Sequence, residues 1–228
     1  MSKIRVMNEL LANKIAAGEV VEKCSSVLKE LVENSIDAGA TNIKVLLDGG
    51  GLKKIEVIDD GSGMDREDAC LAFCRHATSK IYKDDDLFFI ETLGFRGEAL
   101  ASIASVSEVN METSNGVVGT LVHIKGGKVL EVSDAPLRVG TKIEVSNIFY
   151  NTPARLKYLK TEGTELNNCL AYIEKLALSK PDIAFSLSNN DKVLVKTSGS
   201  NNLLKTIHEI YGLNVSSNML LVKASTDD

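Results

Sequence analysis

A run of four short strands in the middle of the chain most limits the folds open to it. Turn pairs such as Asn115-Gly116 and Gly126-Gly127 join these strands, so we expect neighbours to run antiparallel. Helices precede and follow the run, which favours an α+β sandwich: one mixed, mostly antiparallel sheet with helices packed on one face. Alternation of apolar and polar residues places the four strands over residues 106–113, 117–125, 128–132 and 141–146.

The rest of the chain reads as helices separated by glycine-rich turns. Ser25 or Ser26 should cap the second helix, with Gly39 just beyond its end, and Asp65 should cap the third. There is no alternating βαβ pattern, no GxxxxGK[ST] and no GxGxxG, which argues against P-loop and Rossmann architectures. The predicted elements are helices over residues 8–15, 25–38, 65–74, 164–179 and 202–211, strands over 42–47 and 54–59, a short helix from Pro153 and a hairpin around residues 189–190.

Length and charge restrict the domain organisation and the partners. The 228 residues suffice for one domain plus a fragment, or for two small domains. A polar stretch at 197–202 predicts a boundary, with a first domain over residues 1–200 and the start of a truncated second domain over residues 201–228. A net charge of −5 does not suit a protein that binds polyanions along its whole surface. DNA would need a local patch such as Arg155, Lys157 and Lys160, although a solvated helix end explains these residues more simply.

Cysteine usage and hydropathy predict the compartment. Four cysteines without a CxxC pair favour a reducing environment. Cys70 and Cys74 could share a helix face around a metal, but two small core residues are the simpler interpretation because no further ligand pair has suitable spacing. No apolar run has the length of a signal peptide core or of a membrane span. We therefore expect a cytosolic protein, or a nuclear one in a eukaryote, with no membrane partner.

The helix over residues 27–38 carries the first candidate site. Its apolar side chains cover one side, whereas Glu30, Asn34 and Asp37 fall within about 60° of each other on another face. An amide oxygen can bind Mg²⁺ without adding negative charge beside phosphates, and a carboxylate one turn away can orient and deprotonate a water molecule. A solvated helix face is the alternative interpretation of this segment taken alone.

Three glycine-containing segments could complete such a site. Asp59 ends a strand at the turn Asp60-Gly61-Ser62-Gly63, where its carboxylate could accept a hydrogen bond from an adenine amino group. The loop 94–100 leads into a helix, whose free N–H groups can bind phosphate. Residues 75–80 offer hydroxyl groups and a cation, and the stretch between these two segments resembles a lid. Each segment alone could equally be an ordinary turn or loop.

Taken together, these strings resemble the GHKL ATPases and, more specifically, the MutL family of DNA mismatch repair proteins. The similarity extends from about residue 6 to residue 159. The strings that carry it are 16–21 (Ala-Ala-Gly-Glu-Val-Val), 29–35 (Lys-Glu-Leu-Val-Glu-Asn-Ser), 59–63 (Asp-Asp-Gly-Ser-Gly), 75–80 (Arg-His-Ala-Thr-Ser-Lys), 94–100 (Gly-Phe-Arg-Gly-Glu-Ala-Leu), the pair Gly140-Thr141, and 150–155 (Tyr-Asn-Thr-Pro-Ala-Arg).

The resemblance implies a role for each matching residue in a Bergerat-type ATP site. Glu30 matches the general base, Asn34 the Mg²⁺ ligand, and Asp59 the residue that pairs with the adenine amino group. The other cofactor-binding residues it implies are Ala38, Gly61, Gly63, Met64 and Thr141 around the base, Thr78, Ser79 and Lys80 in the lid, and Leu93, Gly94, Phe95, Arg96, Gly97, Glu98, Ala99 and Leu100 in the phosphate loop.

The implied function is that of a slow, Mg²⁺-dependent ATPase that gates a mismatch repair matchmaker. ATP would order the lid and drive homodimerisation. The partners would be DNA, bound weakly through the full-length protein, a mismatch-recognition protein and downstream repair enzymes. The protein would be cytoplasmic and nucleoid-associated in a bacterium. A non-catalytic domain that holds ATP as a structural ligand, or another GHKL machine such as gyrase B, a heat-shock chaperone or a histidine kinase, are the alternatives.

Two departures from the family pattern affect these expectations. Lys23-Cys24-Ser25-Ser26 stands where the family usually has Arg-Pro-Ala-Ser, which predicts a less rigid entry into the helix without loss of a catalytic position. In the family, a lysine of the second domain reaches the γ-phosphate of ATP. Because that domain is almost wholly missing, we expect this fragment to bind ATP poorly or to hydrolyse it hardly at all.

Overall fold

A computed structural model of the chain describes residues 21–220 except Tyr82, Ile90 and Glu91, and also Arg5, Met7, Ala17, Gly18 and Val222. The helix predicted over residues 8–15 lies outside the described residues. The helices are α1 (Cys24–Asp37), α2 (Arg66–Leu71), α3 (Ala99–Ser105), α4 (Pro153–Leu156), α5 (Glu162–Ser179), α6 (Leu203–Tyr211) and α7 (Leu213–Ser216), with 3₁₀ turns at Gly49–Gly51 and Asp84–Phe88. The strands are β1 (Asn42–Asp48), β2 (Lys54–Asp59), β3 (Glu108–Ser114), β4 (Gly119–Lys125), β5 (Lys128–Asp134), β6 (Gly140–Ser146), β7 (Ala184–Asn189) and β8 (Lys192–Lys196).

All eight strands join one sheet in the order β5-β4-β3-β6-β2-β1-β7-β8. Every neighbouring pair is antiparallel except β1 and β7, which run parallel. The predicted hairpins β1–β2 and β7–β8 are present, and β6 lies between β3 and β2, joining the two halves of the sheet. The mixed, mostly antiparallel α+β sandwich expected from the sequence is confirmed.

Strand register places a continuous apolar row on one face of the sheet. Val45 is paired with Val57, which is paired with Ile143, and the row continues through Met111 to Val122. These side chains are at most 5% exposed. The row on the opposite face is polar and includes Glu56, Glu144, Asn110 and His123. Because only one face is apolar, the helices collect there.

Helices α1 and α5 cover the apolar face. Helix α1 buries Val27, Leu28 and Leu31, and α5 buries Ile173 and Ala177. Full burial of one aliphatic side chain contributes about 1.5 to 3 kcal/mol. The inward stripe therefore holds α1 against the sheet, and its polar face is left at the surface of the helical layer.

The start of α1 differs from the sequence-based expectation. The helix begins at Cys24, ahead of both serines proposed as its cap, and Lys23 at the N-cap provides no side-chain hydrogen bond. Instead Glu165 of α5, which is 1% exposed, accepts the Cys24 N–H through Oε2 at 3.1 Å. Its other oxygen accepts the Lys160 N–H at 3.2 Å. A carboxylate distant in sequence thus accepts the hydrogen bond that an N-cap side chain would normally accept.

Replacement of Glu165 with glutamine is expected to destabilise the fold by about 2 kcal/mol, because one buried N–H then faces an amide donor instead of a carboxylate oxygen. Urea denaturation of both proteins measures this difference. Glu162→Gln, an exposed position in the first turn of the same helix, is the matched control and should change the unfolding free energy little. Equal midpoints for Glu165→Gln and the unaltered chain would show that the cap is dispensable.

Other boundaries agree closely with the sequence. Asp65 caps α2 by accepting the Asp68 N–H at 2.9 Å, and Asn202 caps α6 by accepting the Lys205 N–H at 3.1 Å. Helix α2 ends at Leu71, three residues early, and α7 was not predicted. Helix α6 packs on β8 and α5, and the domain boundary near residue 200 stays a prediction. Within the described ranges no helix is long and apolar enough to cross a bilayer.

Candidate functional site

The polar face of α1 places Glu30 at the edge of the helical layer. The Glu30 side chain is 24% exposed. Burial raises the pKa of this carboxyl group, with Lys29 opposing and Glu33 reinforcing the effect. A carboxylate with raised proton affinity is a stronger base, and it is half-shielded from bulk water. The arrangement suits proton abstraction from a water molecule held beside α1.

One turn further on, Asn34 and Asp37 together hold a cation, the ammonium group of Lys80. The Lys80 Nζ donates to Asn34 Oδ1 at 3.1 Å and to Asp37 Oδ2 at 2.6 Å. The sequence-predicted metal ligand and a lid residue therefore do meet in the structure. The helical spacing places Asp37 on the same face as Asn34, and this spacing is the sequence signal for its role as a second acceptor of the cation.

Asp37 also fastens the start of the phosphate loop to α1. Its Oδ1 accepts the Leu93 N–H at 2.9 Å, and Oδ2 accepts the Gly94 N–H at 3.2 Å. By contrast, the N–H groups of Phe95, Arg96 and Gly97 donate to none of the described residues. Within the described part of the chain these three donors therefore have no acceptor, whereas the Leu93 and Gly94 N–H groups are bonded to Asp37.

The lid string packs directly on the phosphate loop. The His76 N–H donates to the Gly97 carbonyl at 2.9 Å, and Arg75 pairs with Glu98 at 3.5 Å. Gly97 has φ +63° and a Cβ there would lie 2.5 Å from the Ala77 carbonyl oxygen, so only glycine permits this approach. Of the remaining members of the two strings, Thr78, Ser79 and Arg96 are in loops, and Ala99 and Leu100 are in the first turn of α3.

Asp59 joins the end of β2 to both α1 and β6. It is 5% exposed, and its Oδ2 accepts the Ser35 hydroxyl at 2.7 Å. Its Oδ1 accepts the Gly61 N–H at 3.0 Å and the Thr141 N–H at 3.1 Å. A carboxylate oxygen can accept two hydrogen bonds, so Oδ2 retains capacity for one further donor.

The turn after Asp59 needs its glycines because it lies against other backbone. A Cβ on Gly61 would lie 2.9 Å from the Ala38 Cβ at the end of α1. Gly63 has φ +62°, and a Cβ there would collide with the Ser114 carbonyl oxygen. Met64 follows, and its N–H donates to the Thr113 hydroxyl at 3.0 Å. The same hydroxyl lies 3.0 Å from that of Thr141, the β6 member of the predicted set.

The predicted site residues therefore converge on the C-terminal half of α1. Ser35 connects that helix to Asp59, and Asp37 connects it to the lid and the phosphate loop. A divalent ion at Asn34 would fit the donor chemistry, because its oxygen already faces a positive charge. Among the residues described, no group of three His, Cys, Asp or Glu side chains could hold a metal alone. Phosphates and water would have to complete the coordination, as Mg²⁺ prefers.

Comparison with known proteins decides the family. Residues 22–145 match the model of the histidine kinase-, DNA gyrase B-, and HSP90-like ATPases. The chain belongs to this ATPase family. The match covers more than half of the chain and includes every string of the site from Glu30 to Thr141, so the superfamily inferred from the motifs is confirmed.

Within this ATPase family, the chain groups with MutL, as the motifs indicated. It is 52% identical to the DNA mismatch repair protein MutL of Lactiplantibacillus plantarum over 228 residues, which is 100% of this chain and 34% of that protein. It is 53% identical to MutL of Listeria monocytogenes serotype 4a, over 97% of this chain and 37% of that protein. The chain thus spans about a third of the length of these relatives.

Solved structures show the same fold. The N-terminal domain of a DNA repair protein superposes with a TM-score of 0.76 at 29% identity, covering 88% of this chain and 60% of that one. The MutL ATPase domain of Aquifex aeolicus, solved in complex with ADP, superposes with a TM-score of 0.66 at 30% identity, covering 84% and 70% of the two chains.

Proposed function

We propose that this chain binds ATP with Mg²⁺ beside α1 and hydrolyses it slowly, as the nucleotide-dependent switch of a DNA mismatch repair protein. The observation that carries the proposal is the convergence on one helix of a base, a cation ligand and the anchors of two loops. Asn34 and Asp37 both bind the Lys80 ammonium, Ser35 binds Asp59, and Glu30 lies one turn before Asn34 on the same helix. The ADP complex of the Aquifex aeolicus MutL ATPase domain supports a nucleotide as the ligand.

Each group has a distinct task in the proposed reaction. The free Oδ2 position of Asp59 accepts the adenine amino group, beside Thr141, Gly61 and Gly63. The N–H groups of the phosphate loop donate to phosphate oxygens. Glu30 orients the attacking water and takes its proton. Mg²⁺, held at Asn34 and the phosphates, would neutralise charge that develops on the leaving group.

The wider role rests on the relatives' names and on the family resemblance. We propose that nucleotide binding orders the lid residues Thr78, Ser79 and Lys80 and promotes homodimerisation of the first domain, residues 1–200. The remaining residues, 201–228, would begin a second domain. DNA, a mismatch-recognition protein and downstream repair enzymes are the proposed partners, in the cytoplasm at the nucleoid of a bacterium.

A calorimetric titration tests the proposal. A non-hydrolysable ATP analogue should bind with a stoichiometry of one per chain in the presence of Mg²⁺, and chelation of the metal should weaken binding at least about tenfold, because the triphosphate then lacks its counter-ion. Asn34→Ala should make binding insensitive to the metal. The proposal fails if the analogue does not bind at millimolar concentration, or if Mg²⁺ affects the Asn34→Ala variant and the unaltered chain equally.

A further inference from the structure

The Lys80 ammonium occupies a shielded position between two oxygen atoms of α1. The Lys80 side chain is 19% exposed and that of Asp37 is 6% exposed. The attraction between these charges is therefore screened less than in a surface ion pair. Because the same ammonium donates to Asn34 Oδ1, both of these oxygens already contact a cation supplied by the protein itself.

Asp37 does not depend on Lys80 to stay in place. Its carboxylate also accepts the N–H groups of Leu93 and Gly94. If the ammonium departs, these two hydrogen bonds still hold the phosphate loop against α1. The Lys80 ammonium can therefore leave Asn34 and Asp37 while Asp37 stays bonded to the phosphate loop.

We propose that Lys80 is a resident cation that keeps a free divalent ion off Asn34 and leaves only when the metal arrives with its nucleotide. Mg²⁺ binds oxygen at about 2.1 Å, so an ion on Asn34 Oδ1 would lie within about 5 Å of the ammonium and repel it. A free ion offers Lys80 no new partner. A metal-bound triphosphate does, because its oxygens can accept the displaced ammonium. The site then accepts the metal as a complex with the nucleotide and not as a free ion.

This inference rests on the proposed function, since it assumes Asn34 is the metal ligand, and it adds the order of binding. It can nevertheless be tested without nucleotide. Mn²⁺ alone is titrated into the chain and its binding is followed by electron paramagnetic resonance. The unaltered chain should bind Mn²⁺ at this position hardly at all, whereas Lys80→Met should bind it at least about tenfold more tightly, because a repelling charge is gone and two oxygens are freed.

Matched variants test whether the gain in Mn²⁺ affinity arises from the lost charge of Lys80 and from binding at Asn34. Lys80→Arg keeps the positive charge and should exclude Mn²⁺ as the unaltered chain does. Adding Asn34→Ala to Lys80→Met should abolish the gain. Hydrogen exchange at the Leu93 and Gly94 amides should stay protected in Lys80→Met, which shows that the phosphate loop is still docked on Asp37.

The manganese titration decides whether Lys80 keeps a free divalent ion off Asn34, and the inference depends on that step. Equal Mn²⁺ affinities for Lys80→Met and the unaltered chain would overturn it, as would a gain that survives Asn34→Ala. If Lys80→Met and the unaltered chain then still bind the ATP analogue with Mg²⁺, the proposed function stands, but Lys80 does not exclude the free ion. A gain in Mn²⁺ affinity in a chain that never binds the analogue would uphold the cation site and reject the nucleotide.

Discussion

Glu30→Gln is expected to reduce ATP turnover at least about 100-fold while leaving binding of a non-hydrolysable analogue nearly unchanged. The amide keeps the size of the side chain but cannot accept the proton of the attacking water. Single-turnover hydrolysis of labelled ATP, with the protein in excess, detects the slow rates involved. The assay should be run on this chain and on a longer chain that includes the proposed second domain.

Glu33 provides the matched control on the same helix. It is a carboxylate in a similar setting, but the Tyr172 hydroxyl donates to it at 3.2 Å and Lys29 lies 3.8 Å away. Glu33→Gln should retain turnover because the Glu33 carboxylate is bonded to Tyr172 of α5. Full activity in Glu30→Gln would exclude Glu30 as the base, and equal losses in both variants would point to a general effect on α1.

The pH dependence of the same reaction follows from the environment of Glu30. Burial is the main cause that raises the pKa of this carboxyl group, and the negative charge of Glu33 adds to the effect. Only the ionised form accepts a proton, so turnover should fall as the pH falls through this pKa, and the loss should begin at a higher pH than for an exposed glutamate. Glu33→Gln should move the acid limb to lower pH, since it removes a neighbouring negative charge.

The second large effect is expected at the adenine end of the site. Asp59→Asn should weaken binding of the ATP analogue about 100-fold and should remove most of its preference over the GTP analogue. The carboxylate accepts from an adenine amino group, whereas an asparagine amide can donate to the guanine carbonyl oxygen. Competition titrations with the two analogues measure both quantities.

Asp60→Asn is the control for this change. Asp60 is the adjacent carboxylate, but it is bonded to Thr41 and Asn42 away from the site. Partial burial opposes its ionisation, yet these hydrogen bonds lower the pKa of Asp60 to about 2. Its replacement should reduce stability above about pH 4, where an unfolded aspartate would also be ionised, and should leave nucleotide preference intact. An unchanged preference in Asp59→Asn would contradict the assigned base contact.

The sequence could predict the sheet because its information there is local. The alternation around Val45 and the glycine pairs between strands determine which side chains face inward and which strands are neighbours. The same local information predicts that Glu30 and Asn34 share a helix face, since they are one helical turn apart. The face on which a side chain lies can therefore be predicted for each helix or strand separately.

Contacts between distant segments could not be predicted in this way. The cap of α1 comes from Glu165, which lies 141 residues from Cys24 in the sequence. The pairing of Lys80 with Asp37 spans 43 residues. In both cases a buried carboxylate satisfies donors that no local pattern assigns to it. The sequence gives the chemical type of these residues, but only the packing of α5 and of the lid on α1 selects the partner.

A crystal structure of the chain with a non-hydrolysable ATP analogue and Mg²⁺ tests the central claim most directly. We expect the metal about 2.1 Å from Asn34 Oδ1, a water molecule between Glu30 and the γ-phosphate, and the adenine amino group within hydrogen-bonding distance of Asp59. A nucleotide bound elsewhere, with Glu30 and Asn34 directed into bulk solvent, would contradict it.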